Sequence, residues 1–212
     1  GNGFSIAFDK EAFSYSSLTD HARFPDHEDQ LKHLFTTLGT DNFESVARQL
    51  NQSADVLEGL QTEHNSSIDP AYLRQLGEIV RNSLGPSVLN CHPEASPALD
   101  ADPPELCRDF LSKFDRIFTT NYDLLLYWVV TRKSQDVRSL AEAGIFADGF
   151  GMREDCDGIR WPSRNFMRQN IYNLHGALHL VEDKYGLKKL RYSRDQHLIM
   201  QIRNKIDAGA HP

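Results

Sequence analysis

From Asn42 to Leu60 apolar residues recur at spacings of three and four, at Phe43, Val46, Ala47, Leu50, Ala54, Leu57 and Leu60. That period puts them on one face of an amphipathic helix, with Asp41 or Asn42 as its cap. Asp69-Pro70 opens a second helix, a capping residue followed by a proline in the first turn, and Leu73, Leu76, Ile79, Val80 and Leu84 share its inner face. Gly85-Pro86 predicts its end. Prolines 86, 93, 97, 103 and 104, with few large apolar residues among them, predict a long loop or the edge of an inserted helical subdomain. Asp102-Pro103-Pro104 then starts a helix expected to bury Leu106, Phe110, Leu111 and Phe114.

The period changes after that. Arg116 to Thr120 is short and β-prone, and leads through Asn121-Tyr122-Asp123 into the apolar run Leu124 to Val130. A buried strand, a polar turn and a buried helix in that order make half of a parallel βαβ unit. Asn170 to Leu174 reads as another strand with His175-Gly176 at its end, and Leu178 to Glu182 resumes an apolar pattern. Glycine and charge between Ala147 and Asn165 predict loops; Leu187 to Tyr192 reads as a strand and Arg194 to Ile206 as a helix. Asp9 to Leu18, with Phe13 and Tyr15 among small polar residues, reads as a loop or short helix over a site.

Composition narrows the classes. The 212 residues suit one α/β domain with an insertion, here the helical stretch at about 25–100. A net charge of −7 repels nucleic acid and anionic membranes. Lys188, Lys189, Arg191, Arg194, Arg203 and Lys205 are the basic exception, read as a solvated strand and helix face. Cys91, Cys107 and Cys156 form no CxxC pair or disulfide framework, which points to a reducing cytoplasm. No apolar run approaches the roughly 20 residues of a membrane span. The opening on Gly1 and the ending at His211-Pro212 read as truncations, the first removing a strand and leaving a piece expected to fold poorly.

Three clusters could carry chemistry, and each has a plainer reading. Gly1 and Gly3 permit a tight turn whose N–H groups approach a phosphate, although such a triplet is also a common turn. Asn121 and Asp123 stand where a strand hands over to a helix, the place where open α/β sheets bind ligands. They can hold a ribose hydroxyl and orient a water, or cap the turn and the following helix, and the two roles are compatible. His175 ends the later strand and can serve as a general base near neutral pH or as a structural imidazole. His179 would pair with it on a metal only if the segment were helical, and no carboxylate follows His175 as a zincin requires, so no metal is expected.

Together the clusters resemble the sirtuin superfamily. Gly1-Asn2-Gly3-Phe4-Ser5 resembles its glycine-rich opening loop, Thr119-Thr120-Asn121-Tyr122-Asp123 its TQNxD segment, and Leu174-His175-Gly176 its catalytic HG. More closely, the chain looks like bacterial sirtuin-like proteins that open on GNGFS and continue with a Phe-Ser-Tyr stretch, matched by Phe13-Ser14-Tyr15. The resemblance implies a Rossmann-like, doubly wound parallel sheet carrying a helical insertion. It implies NAD as ligand or substrate, with the glycine loop, Ser5, Thr119, Asp123 and Gly176 binding and with Asn121 and His175 catalytic.

Departures shape the expected activity. Deacylating sirtuins carry a cysteine-bound zinc ribbon between the later motifs, and only Cys156 lies there in this chain. Their Pro-Asp-Phe-Arg segment after the glycine loop is missing too, and Phe8-Asp9-Lys10 does not replace it. Both points argue against deacetylation and toward the sirtuin-like NAD hydrolases of bacterial antiviral systems, held off until a trigger protein or homo-oligomerisation. The alternatives are a non-catalytic sensor of NAD or ADP-ribose, and ADP-ribosyl transfer to a macromolecule.

Overall fold

The computed structural model describes residues 3–60, 68–93, 103–131, 146–152, 158–162, 169–190 and 197–208. The chain is mixed α/β, with a small parallel sheet and an antiparallel one. It divides into two compact units, one of Asp9–Cys91 and the other of Gly1–Phe8 with His92–Pro212.

The first unit is helical. Its helices are α2 (Lys10–Phe13), α3 (Tyr15–His21), α4 (Glu28–Leu38), α5 (Phe43–Leu60) and α6 (Pro70–Cys91), and α1 (Gly3–Phe8) belongs to the other unit. Asp9 caps α2 through its carboxylate and Ser14 caps α3 through its hydroxyl, so the stretch expected as a loop or short helix is a pair of short helices. Most of the periodic positions of α5 face inward: Phe43, Val46, Ala47, Leu50 and Ala54 are buried, whereas Leu57 is only half-buried and Leu60 at the helix end is exposed. Phe43 closes an aromatic cluster, its ring centroid 5.1 Å from Phe35 and 6.3 Å from Phe24. Gly77 lets α6 approach α5, since a Cβ there would stand 3.3 Å from the Ala47 carbonyl oxygen.

Helix α6 does not stop at Gly85. It passes through Pro86 to Cys91, because Ser87, Val88 and Leu89 beyond the proline are buried and their packing outweighs the lost backbone bond. The Ser87 hydroxyl donates to the Ser83 carbonyl at 2.7 Å, supporting that turn from the side.

In the second unit, α7 (Pro103–Leu111) buries Leu111 but leaves Leu106 and Phe110 exposed, with Phe114 beyond it exposed as well. Of the four residues expected to be buried there, Leu111 is and Leu106, Phe110 and Phe114 are not. Leu106, Phe110 and Phe114 recur every fourth residue on their own stripe, and Cys107 and Leu111 form the inward one. Strand β1 (Ile117–Thr119) leads to α8 (Leu125–Thr131), and β4 (Ile171–Asn173) pairs with β1 in parallel, Thr119 opposite Asn173. The middle residue of β1 faces outward: Phe118 is exposed and stacks on Tyr172 at 4.8 Å between ring centroids.

The other sheet is antiparallel, in the order β2 (Gly151–Met152), β3 (Ile159–Arg160), β6 (Gly186–Lys189), β5 (Leu180–Asp183). Arg160 runs buried beneath it and grips Asp183 with two nitrogens, at 2.6 and 2.7 Å. Lys189 is not on a solvated face: its ammonium pairs with Asp148, and both side chains are largely covered. Helix α9 (Leu198–Asp207) buries Leu198, Ile199 and Ile202. Cys91 and Cys107 are free thiols, while Cys156, Arg191 and Arg194 lie outside the described residues. Among the described residues no helix is long and apolar enough to cross a membrane.

Candidate functional site

Parallel pairing brings the carboxyl ends of β1 and β4 side by side, which sets Thr119-Thr120-Asn121 next to Leu174-His175-Gly176. Backbone bonds tie the two segments on both sides of His175. The Leu174 N–H donates to the Thr119 carbonyl, and the Leu178 N–H donates to the Tyr122 carbonyl, each at 2.8 Å. Thr119 is buried, and its hydroxyl accepts the Asn121 N–H at 3.1 Å, turning the chain as the strand ends.

Ser5 joins this corner from the other end of the sequence. It is fully buried in α1; its hydroxyl donates to Asp123 Oδ2 at 2.5 Å and accepts from Asn121 Nδ2 at 2.6 Å. The second oxygen of Asp123 accepts the Leu125 N–H at 2.9 Å, so the carboxylate caps α8 while holding the serine. Asp123 therefore fills the helix-cap role read from sequence while its other oxygen accepts from Ser5.

His175 stands in an exposed turn, its ring centroid 6.2 Å from that of Tyr122. Gly176 follows at φ +82°, in the left-handed region that a side chain strains to adopt, and a Cβ there would meet nothing within 4 Å. The glycine thus serves the turn and leaves open space beside the histidine. Gly3 opens α1 with open space where a Cβ would stand, and Gly1 and Asn2 lie outside the described residues. Of the residues expected to form a site, Ser5, Thr119, Asn121 and Asp123 are hydrogen-bonded in one cluster, and His175-Gly176 adjoins it through the backbone.

The family model described as Domain of unknown function (DUF4917) matches residues 1–209. The chain belongs to that family. No curated protein and no solved structure matches it. In this DUF4917 chain the match spans all the site segments, from Gly1 to Gly176.

Two histidines are buried among the described residues, His92, which carries no spacing signal, and His179. His92 accepts the Leu124 N–H on Nε2 at 3.0 Å, immediately behind Asp123. His179 is fully enclosed, and burial, with Lys189 nearby, pushes its pKa down to about 3. His175 and His179 share no helix face, since the first ends a turn and the second lies in the core before β5. Among the described residues no three His, Cys, Asp or Glu side chains gather as a metal would need. Asn170 is the other unforeseen anchor. Its side-chain oxygen accepts the Ala147 N–H at 2.7 Å and its carbonyl accepts the Ile117 N–H at 2.7 Å, locking the start of β1 to β4. A lone Asn before a strand gives no sequence signal of that.

Proposed function

We propose that the chain binds NAD+ and hydrolyses it to nicotinamide and ADP-ribose. One observation carries the reading. Ser5, Asn121 and Asp123, separated by 116 and 118 positions from the serine, form one bonded trio at the end of β1, and the parallel neighbour of β1 runs into His175-Gly176. Three short motifs in a row are weak evidence; their convergence at two adjacent strand ends, the usual ligand side of an open α/β sheet, is stronger. The parallel pair β1–β4 is read as two strands of a Rossmann-like, doubly wound sheet.

In this mechanism the glycine segment takes the pyrophosphate side of NAD+, and Asn121 and Asp123, both bonded to Ser5, take the nicotinamide ribose. The bond between the ribose anomeric carbon and the nicotinamide nitrogen breaks, its electron pair leaving with nicotinamide, which departs neutral. A water oxygen bonds to the electron-poor carbon and loses one proton. His175, unprotonated, takes that proton directly or through a ribose hydroxyl. Hydrolysis of this kind depletes a cell's NAD, so turnover is tied to a trigger protein or to self-association, as antiviral defence in a bacterial cytoplasm would require.

A sensor that binds NAD+ or ADP-ribose without turnover is the second reading. It is favoured by Asp123, each of whose oxygens already accepts from a protein donor. Calorimetric titration with NAD+, followed by analysis of the recovered nucleotide, separates the two. Recovery of ADP-ribose supports hydrolysis; recovery of intact NAD+ after binding sinks hydrolysis and leaves the sensor.

A further inference from the structure

The loop bearing Asn121 and Asp123 enters α8 through two consecutive amides, and different side chains receive them. Leu125 N–H goes to Asp123 itself, while Leu124 N–H goes to His92 Nε2. An imidazole nitrogen that accepts a backbone N–H carries no proton, so the ring proton belongs on Nδ1, which lies 3.0 Å from the Pro93 carbonyl as donor. The ring stands edge-on to Trp128, 4.7 Å between centroids and 85° between planes, which fixes its orientation. Burial pushes the His92 pKa below its ordinary value, against the opposing pull of the Pro93 carbonyl and the Asp123 charge, which favours this neutral, accepting form.

The geometry points to His92 as a positioning residue: through the Leu124 amide it holds the 121–124 loop in the conformation that closes Asn121 and Asp123 on Ser5. The inference rests on the proposed reading of that trio as a nucleotide site. Without the imidazole, the buried Leu124 N–H has no acceptor and the loop must turn to find one. Asp123 is the neighbouring residue, so the turn moves the carboxylate that accepts from Ser5. A helix cap of this sort ordinarily uses an oxygen from within the same turn. Here the acceptor comes from 32 residues away, which leaves the loop conformation dependent on a second segment of chain.

The test compares the 212-residue chain with His92→Leu and His92→Gln, by nitrogen-15 NMR and by calorimetric binding of ADP-ribose. Glutamine places an acceptor oxygen as many bonds from Cβ as Nε2 and so conserves the contact. The wild-type ring is expected to carry its proton on Nδ1. His92→Leu is expected to move the resonances of Asn121, Asp123 and Leu124 and to weaken ADP-ribose binding about tenfold, with His92→Gln restoring both. A proton on Nε2 in the wild type overturns the proposal. So does unchanged loop resonance and affinity in His92→Leu, or a folded His92→Gln that restores neither. Should His92→Leu not fold, the wild-type tautomer and the glutamine variant decide. Failure of the wild type to bind ADP-ribose removes the nucleotide reading alone; the tautomer and the loop resonances still decide whether His92 braces the loop.

Discussion

The two units bury different kinds of side chain. In Asp9–Cys91 the buried polar residues among those described are Ser83 and Ser87, each bonded to a carbonyl of its own helix. In the other unit they include Ser5, His92, Asp123, Arg160 and Asn170, whose partners come from distant segments, and His179, whose Nδ1 has none. Apolar burial is non-directional and follows from periodicity alone, so any well-placed hydrophobe contributes. Polar burial is favourable only with a partner in place, which makes each position conditional on another far along the chain.

The contrast can be broken by substitution, beginning with the largest expected effect. Phe43→Ala removes one ring of the Phe24–Phe35–Phe43 cluster and should cost about 3–5 kcal/mol in urea unfolding at pH 7. The loss should be the same at pH 5, since nothing in that cluster ionises. A cost below about 1 kcal/mol would show that packing there is not what holds the helical unit.

His179 should behave oppositely. It is neutral and enclosed in the folded chain, its Nδ1 bonded to nothing, while an unfolded histidine titrates near 6.5. The unfolded state therefore binds a proton that the folded state refuses until about pH 3. Stability from this group is complete above about 6.5 and is lost as pH falls from there toward 3, by about 2 kcal/mol at pH 5. Wild type should lose stability between pH 7 and 5, and His179→Phe should lose much less. His92, also shifted downward, leaves a residual slope of the same sign. Parallel pH profiles for the two proteins would refute the assignment.

The smallest effect is expected at the edge of the antiparallel sheet. Asp183→Asn removes the two-point carboxylate contact from the Arg160 guanidinium. Asp183 is 39 % exposed, so water compensates in part and the cost should be about 1–2 kcal/mol, below that of a fully buried pair. Arg160 holds the Asp183 pKa down to about 2, so this stabilisation is present above about pH 3.8 and fades only as pH falls through 2. The deficit of the variant should thus be constant from pH 7 to 5, in contrast to His179.

The same division decides how much the sequence revealed. The face of α5 was legible because a period of three to four residues has one geometric meaning. Pro86 misled, since a local breaker signal omits the packing of Val88 and Leu89 beyond it. The α7 face misled because Leu106, Phe110 and Phe114 are apolar and helically spaced yet point outward, and spacing does not say which stripe a neighbour covers. At the candidate site, the placement of Asn121, Asp123 and His175 at strand ends was legible, but the bonding of Ser5 to Asn121 and Asp123 was not. His92 and Asn170 were not, because a residue whose role is to receive one amide from another segment needs no neighbouring pattern.

Nicotinamide release from NAD+ by the chain beside Asn121→Ala and His175→Ala tests the proposed hydrolysis most directly. Release by the wild type, reduced on the order of 100-fold or more by each substitution while both variants keep the fold, is the predicted result. Equal release by all three proteins, or none by the wild type, would contradict it.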